Sequence, residues 1–451
     1  MNSRRNFLLS MSSVCLASTI QPIRKALSEI SDIDAKEFGV IPGKGDVTAA
    51  LQRAIDHAAQ EGKGVFIRAN KRGKPYILRG TITVPERMSI KSVAAEAAEF
   101  RCFAKTAFVI MGARVTLYGL RFLSAHKAGG ATAIRLATSV ADIIELVSIK
   151  SCGARRFSYA VRDDVTTVRR MDSLHIDENA FQAMGEGGVG ILLRNIAGSI
   201  YIRNNMVSFL RSAKTGIGYY IKGGGGVKFS SHAIGNFDEG ARDKNIGAKF
   251  ENCVALWLDG ANIENFGGAG IIFNNCYAVR GSGNHTGAND GPAISIHNST
   301  TVDLKTTTIR GNAASKGARH RSHGLHISGR SSEIAIDGIR ITETTGDAVH
   351  VNKSAQLVRI EGLIVSKARS FARILGHGLV SHGNHITVNN ANIDACNGFG
   401  VVAGGRFNGD AIHVTDCRSG RAKLLETGVS IRNWRTKNAG RPKTVSGPLT
   451  L

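Results

Sequence analysis

One short apolar phrase returns through most of this chain, and it predicts an all-β, single-stranded parallel β-helix. The phrase is two apolar residues separated by one position, then a third five residues on. Val115-Leu117-Phe122, Leu174-Ile176-Phe181, Ile200-Ile202-Val207, Val227-Phe229-Ile234 and Leu256-Leu258-Ile263 carry it, as do Val302-Leu304-Ile309, Ile334-Ile336-Ile341, Val358-Ile360-Val365 and Ile386-Val388-Ile393. Alternation with period two places alternate side chains on opposite faces, which describes a half-buried strand. The second observation is spacing. From Leu174 onward copies sit 23 to 32 residues apart, once the 46-residue step from Leu256 to Val302 is divided into two coils of 23. That division is justified by Phe250-Glu251-Asn252-Cys253, Phe273-Asn274-Asn275-Cys276 and Ile296-His297-Asn298-Ser299, which share one register. A unit of this length cannot bury its apolar face alone, whereas stacked units can. Third, the connecting residues are Gly, Asn, Ser and Thr rather than helix-period sequence. Right-handed winding, one coil per repeat, is the parsimonious solution, with about eleven or twelve coils.

Taken in order, the chain opens with Ser3-Arg4-Arg5-Asn6-Phe7-Leu8-Leu9 and a mildly apolar run to Ile20. This resembles a twin-arginine export signal, so residues 1–27 are set apart as signal and linker. The resemblance implies a periplasmic or secreted protein. The apolar run is too short to span a bilayer, and no later segment qualifies.

Residues 35–93 form a cap and first coil. Leu51, Ala54, Ile55 and Ala58 fall on one helical face, with Asp46 or Thr48 available to cap its start. Gly64-Val65-Phe66-Ile67 and Tyr76-Ile77-Leu78 read as strands, and Thr81-Ile82-Thr83-Val84-Pro85 leads into the first coil. This order resembles the N-terminal cap of the pectate-lyase-like (pectin-lyase-like) right-handed β-helix superfamily. The whole chain also looks similar to a bacterial family of twin-arginine-translocated β-helix repeat proteins. That likeness implies architecture and compartment and supplies no reaction. Residues 94–416 are the β-helix proper, and 417–451, where the phrase decays, a C-terminal cap and basic tail.

The formal charge is +23 on 451 residues, which favours polyanionic partners. Aromatic residues make up 6%, and no basic stretch is interleaved with stacking rings, which argues against nucleic acid. Outside the cytoplasm, an acidic cell-envelope polysaccharide or an anionic lipid surface is the partner this charge suits. Seven cysteines do not form a disulfide framework; Cys253 and Cys276 share a repeat position, as do Cys152 and Cys396, and read as small buried side chains. A Cys253–Cys276 bridge is the alternative. Gly223-Gly224-Gly225-Gly226 lacks a following Lys-Ser/Thr and helix, so it is a loop and not a phosphate cradle.

Stacking register points to one polar column. The position before the sheet strand reads Pro292, His323, Asp347, His377 and Phe399 in successive copies, so His stacks over Asp over His about 4.8 Å apart. His326 and His350 lie at the outward middle of two of these strands. Arg319 and Arg321 fall in an adjoining turn. This column resembles the active-site strand of polygalacturonase-type glycoside hydrolases: Asp347 matches one carboxylate of Gly-Asp-Asp, and His377 sits in an intact Gly-His-Gly. Ala348 replaces the second carboxylate, and Ser322-His323-Gly324 replaces Asn-Thr-Asp-Gly. An inverting glycosidase needs two carboxyl groups. A different chemistry is open: Asp347 orients His323, His350 or His377 as a general base for C5 of a uronate, as in a lyase or epimerase, while His326, Arg319 and Arg321 hold substrate. A divalent transition metal on His323, Asp347, His350 and His377 is another reading. A non-catalytic β-helix that binds glycan or protein is the plainer one. Asp337 and Glu361, on another strand, form a second carboxylate column that reads as a turn ladder, and Asn252, Asn275 and Asn298 an asparagine ladder.

Overall fold

The computed structural model describes residues 32–437 except 72, 93–96, 127–129, 139–142, 210–214, 236–243, 288, 312–321, 369–375 and 426–427. The export motif, Arg319, Arg321 and the tail beyond 437 lie outside the described residues. The chain is a right-handed parallel β-helix of about 13 turns. Its strands form a 16-stranded sheet and a 27-stranded sheet, the larger bent into two faces.

Why these residues wind follows from the register. Val227, Leu256, Val279, Val302, Ile334, Val358 and Ile386 pair in one unbroken inward column. Phe250, Phe273, Ile296, Ile327 and Val351 do the same in the smaller sheet. All of them are buried. Each such side chain contributes roughly 1.5–3 kcal/mol by leaving water, and only its neighbours above and below make that burial complete. Phe250 stacks on Phe273 at 5.8 Å and meets Phe229 edge-on at 5.3 Å.

Turns are shaped by residues that tolerate the left-handed region. Asn252, Asn275 and Asn298 adopt φ of 54°, 54° and 47°, a conformation Asn accepts better than most side chains. Asn275 Nδ2 donates to Asn252 Oδ1 at 2.6 Å, and Asn298 Oδ1 accepts from the Arg330 amide. At the bend inside the larger sheet a second ladder is buried: Asn179 Nδ2 donates to Asn205 Oδ1, and Asn205 Nδ2 to Ser231 Oγ.

The cap helix, α1, spans Thr48–Glu61 and buries Leu51, Ala54, Ile55 and Ala58. Asp46 Oδ1 accepts from both the amide and the hydroxyl of Thr48, and Gly62 ends the helix at φ 64°. The helix packs on strands Ile33–Asp34, Val65–Phe66 and Ile82–Val84, covering an end where strand edges would otherwise be bare. No helix among the described residues is long and apolar enough to cross a membrane.

Two expectations change, the end of the winding and the number of coils. The winding continues past residue 416, because Phe399 pairs with Gly420, Phe407 with Val429 and His413 with Arg435. Alternation there is shorter, which hid it, and together with the strands of the cap it raises the coil number above eleven or twelve. The cysteines are as read: Cys253 and Cys276 are buried free thiols and not the alternative bridge, and Cys396 and Cys417 are buried free thiols too. Cys396 neighbours Cys417, and this thiol partner together with burial pushes the Cys396 thiol far up.

Candidate active site

Three strands of the smaller sheet carry the site: Leu325–Ser328, Val349–Val351 and Leu379–Ser381. The residue two positions before each, His323, Asp347 or His377, lies at the corner that leads into the strand. Main-chain hydrogen bonds run Ala293 N to His323 O, Gly324 N to Asp347 O, Ala348 N to His377 O and Gly378 N to Phe399 O. They stack His323, Asp347, His377 and Phe399 on consecutive windings. Glycines make the corner possible. A Cβ on Gly324 would sit 2.5 Å from the Ala348 carbonyl oxygen, and one on Gly346 3.1 Å from Ser322.

Asp347 is 1% exposed. His350 Nδ1 lies 2.8 Å from its Oδ2, and His323 Nδ1 3.6 Å from the same oxygen. Its Oδ1 accepts from the His377 amide at 3.2 Å. Burial pushes this carboxyl up, but the His350 hydrogen bond and the positive potential of His323, His350 and His377 outweigh it. The carboxyl therefore lies below its ordinary value and is ionised at neutral pH.

Around this carboxylate the imidazoles gather. His323 and His350 rings are 4.7 Å apart, His323 and His326 5.3 Å, His326 and His350 5.6 Å, and His350 and His382 6.2 Å. His326 pairs directly with His350 in the sheet. Burial and the charge of His350 lower the pKa of His326, against a smaller opposing effect from its hydrogen bond to Asn352. An adjoining groove of about 550 Å³ is lined by Asn352, Lys353, Ser354 and His382.

The ring of His377 departs from the expected His-over-Asp-over-His stack. Its backbone reaches Asp347, but its Nδ1 accepts from the Phe399 amide at 2.8 Å and the ring lies on Phe399. Gly398 makes room for this, since a Cβ there would come within 2.4 Å of His377 Nδ1. The converging trio is thus His323, Asp347 and His350, whose ligand-capable atoms all lie within 4.8 Å of one another. His382, from a turn adjoining the column, and Lys353, one short step from its repeat positions, also border the site.

Asp337 and Glu361 also pair across windings, on the larger sheet. Glu361 accepts from the side-chain amides of Asn389 and Asn390. This column lies away from the histidines and forms the turn ladder anticipated for it.

No protein-family model and no curated protein sequence matches the chain. Solved structures do. The enzymatically active domain of tailspike protein 2 from bacteriophage CBA120 is similar at 16% identity, over 74% of this chain and 52% of that one, with a TM-score of 0.50. A mutant of the periplasmic alginate epimerase AlgG aligns at 11% identity over 81% and 79%, TM-score 0.46. PfbA, a surface adhesin of Streptococcus pneumoniae, aligns at 12% over 92% of both chains, TM-score 0.39. The tailspike likeness is one of fold, and this chain spans about half the length of that protein.

Proposed function

We propose that this protein acts outside the cytoplasm on an acidic polysaccharide, by abstracting the C5 proton of a uronate unit. The observation that carries the reading is the 2.8 Å contact between a buried, ionised Asp347 and His350 Nδ1. A carboxylate there fixes the Nδ1–H tautomer and leaves Nε2 to accept a proton. The C5–H bond breaks, its proton passes to Nε2, and its electron pair delocalises into the uronate carboxylate. Breaking the C4–O4 bond to form a C4=C5 double bond, with the proton returned to the departing O4, is a lyase step, and delivery of a solvent proton to the opposite face of C5 is epimerisation. Lys353 in the adjoining groove supplies positive charge for the substrate carboxylate. One buried carboxylate serves this chemistry, whereas inverting hydrolysis requires two.

A metal at His323, Asp347 and His350 has the right donor types. It competes for the same atoms, however. A hydrogen bond from His350 Nδ1 to Asp347 occupies both groups, so a metal would require His350 to turn and present Nε2. Metal analysis of protein secreted by its own route separates the two, since the base reading expects substoichiometric metal.

The decisive experiment is exchange of the C5 hydrogen with deuterium from solvent, by NMR, on alginate, pectate and glucuronan. Exchange is expected on one of them and should fall on the order of 100-fold or more in Asp347→Ala. Unchanged exchange in that variant removes Asp347 from the mechanism. Absence of exchange on all three favours a binding role. For the compartment, residues 1–27 fused to a folded reporter should carry it to the periplasm, and should fail to do so when Arg4 and Arg5 are replaced by Lys.

A further inference from the structure

On another face of the solenoid, the outward side of the larger sheet, aromatic and basic side chains share one column. His175 pairs with Tyr201, Tyr201 with Lys228, Lys228 with Trp257, and Trp257 with Arg280. The His175 and Tyr201 rings stack at 4.5 Å and 11°. The Lys228 ammonium stands 5.2 Å from the Tyr201 ring and 6.0 Å from Trp257, and the Arg203 guanidinium 5.4 Å from Tyr201. Arg203 is itself held by two hydrogen bonds to Asp177.

Of these side chains, Arg203, Lys228 and Trp257 line a groove of about 670 Å³, together with Ser199, Ser230 and Asp259. The last glycine of the four-glycine loop, Gly226, forms part of its wall. A Cβ on Gly226 would meet the Trp257 indole at 3.5 Å from Cζ3, an ordinary contact from which any longer side chain would fill the groove. A cross-strand aromatic ladder alone would account for rings in contact. It does not account for Lys228 and Arg203 converging with Trp257 in a concave strip.

We propose that this groove is a second binding site for an acidic oligosaccharide, seating a sugar ring on Trp257 with its carboxylates on Lys228 and Arg203. Sugar C–H groups carry partial positive charge and suit the negative face of an indole, while the cations recognise carboxylate. A single nucleic-acid strand also favours rings beside cations. Ser199, Ser230 and Asp259 favour the sugar, because they can hydrogen-bond its several ring hydroxyls, which a DNA strand lacks. The site shares its ligand class with the proposed reaction but uses none of the His–Asp residues. Trp257 lies three windings before His326, roughly 14 Å along the axis, so it would hold polymer away from the reacting unit.

Only two tryptophans occur in the chain, Trp257 and Trp434. In full-length protein carrying Trp434→Phe, fluorescence therefore reports on Trp257. Titration with oligosaccharides of galacturonate, mannuronate and glucuronate should quench it with at least one of the three, and a neutral cello-oligosaccharide should not. By calorimetry, Trp257→Ala should bind that oligosaccharide about tenfold more weakly. Trp257→Tyr should recover part of the loss if the protein is folded, and Lys228→Gln should flatten the salt dependence. Asp347→Asn should leave the quench in place, so unchanged C5 exchange in that variant with retained quenching refutes the reaction and not this site. Quenching by none of the three uronates, equal quenching by the neutral sugar, tighter binding of oligothymidylate, or abolition of the quench by Asp347→Asn would each overturn the proposal.

Discussion

Asp337 and Asp347 belong to the same stretch of chain and obey the same parallel register, yet they inhabit different chemistry. Asp337 ends a strand of the larger sheet, next to Gly338 at φ 65°, and points into solvent above Glu361. Asp347 precedes a strand of the smaller sheet at a corner hollowed by Gly346 and Gly324, and there it is sealed beneath His323 and His350. Stacking decides which residues become neighbours. Where in the coil the stack falls decides whether they are dry. A carboxylate in water gains little from its neighbour, whereas a buried one must be fully provided with donors, and this requirement draws the histidines together.

The largest effect that tests this contrast is Asp347→Ala. It strands the His377 amide and His350 Nδ1 in a buried corner, and each lost partner costs about 1–3 kcal/mol. Urea unfolding followed by circular dichroism should show a markedly lower midpoint at pH 7. A midpoint equal to wild type would mean that the corner is wet and the distinction empty.

Next in size is the response to acid. The Asp347 carboxyl is depressed below 3.8, so its contribution to stability is complete above that pH and disappears as pH falls through the lower folded value. His326 is depressed below 6.5, which means the fold favours its neutral form. Its contribution is therefore full above pH 6.5 and is lost as pH falls through its own lower folded value. Both losses run in the same direction, and the unfolding midpoint should drop first between neutrality and pH 5. His326→Gln should remove that upper step and keep the lower one. A wild-type midpoint that stays flat from pH 7 to 5 would contradict the buried placement of His326.

How much of this was legible differs by kind of residue. Register was readable because a period-two phrase such as Val227-Phe229 fixes its own face, and a slip by one position would turn every apolar side chain outward. That is why His323, Asp347 and His377 could be aligned across windings from the chain alone. The direction of the His377 ring could not be, because it depends on a rotamer and on the empty space above Gly398. The buried Asn179–Asn205–Ser231 ladder was missed since an isolated Asn between strand phrases reads as an ordinary turn former. Trp257 was missed for a related reason. It occupies an outward strand position where the alternation says nothing about identity, and its groove exists only once Gly226 and Lys228 are brought beside it.

The smallest expected effect sharpens the contrast from the other side. Asp337→Ala removes a carboxylate of similar chain position and identical stacking rule, but from a solvated turn. Its stability change should stay within about 0.5 kcal/mol by the same urea measurement, and C5 exchange should match wild type. The pair of variants is informative because sequence separation and residue type are held nearly constant, leaving burial as the variable. If Asp337→Ala cost as much as Asp347→Ala, carboxylate stacking itself would be stabilising throughout the solenoid. The histidine corner would then need no special account, and the argument that its dry setting makes His350 a base would lose its physical ground.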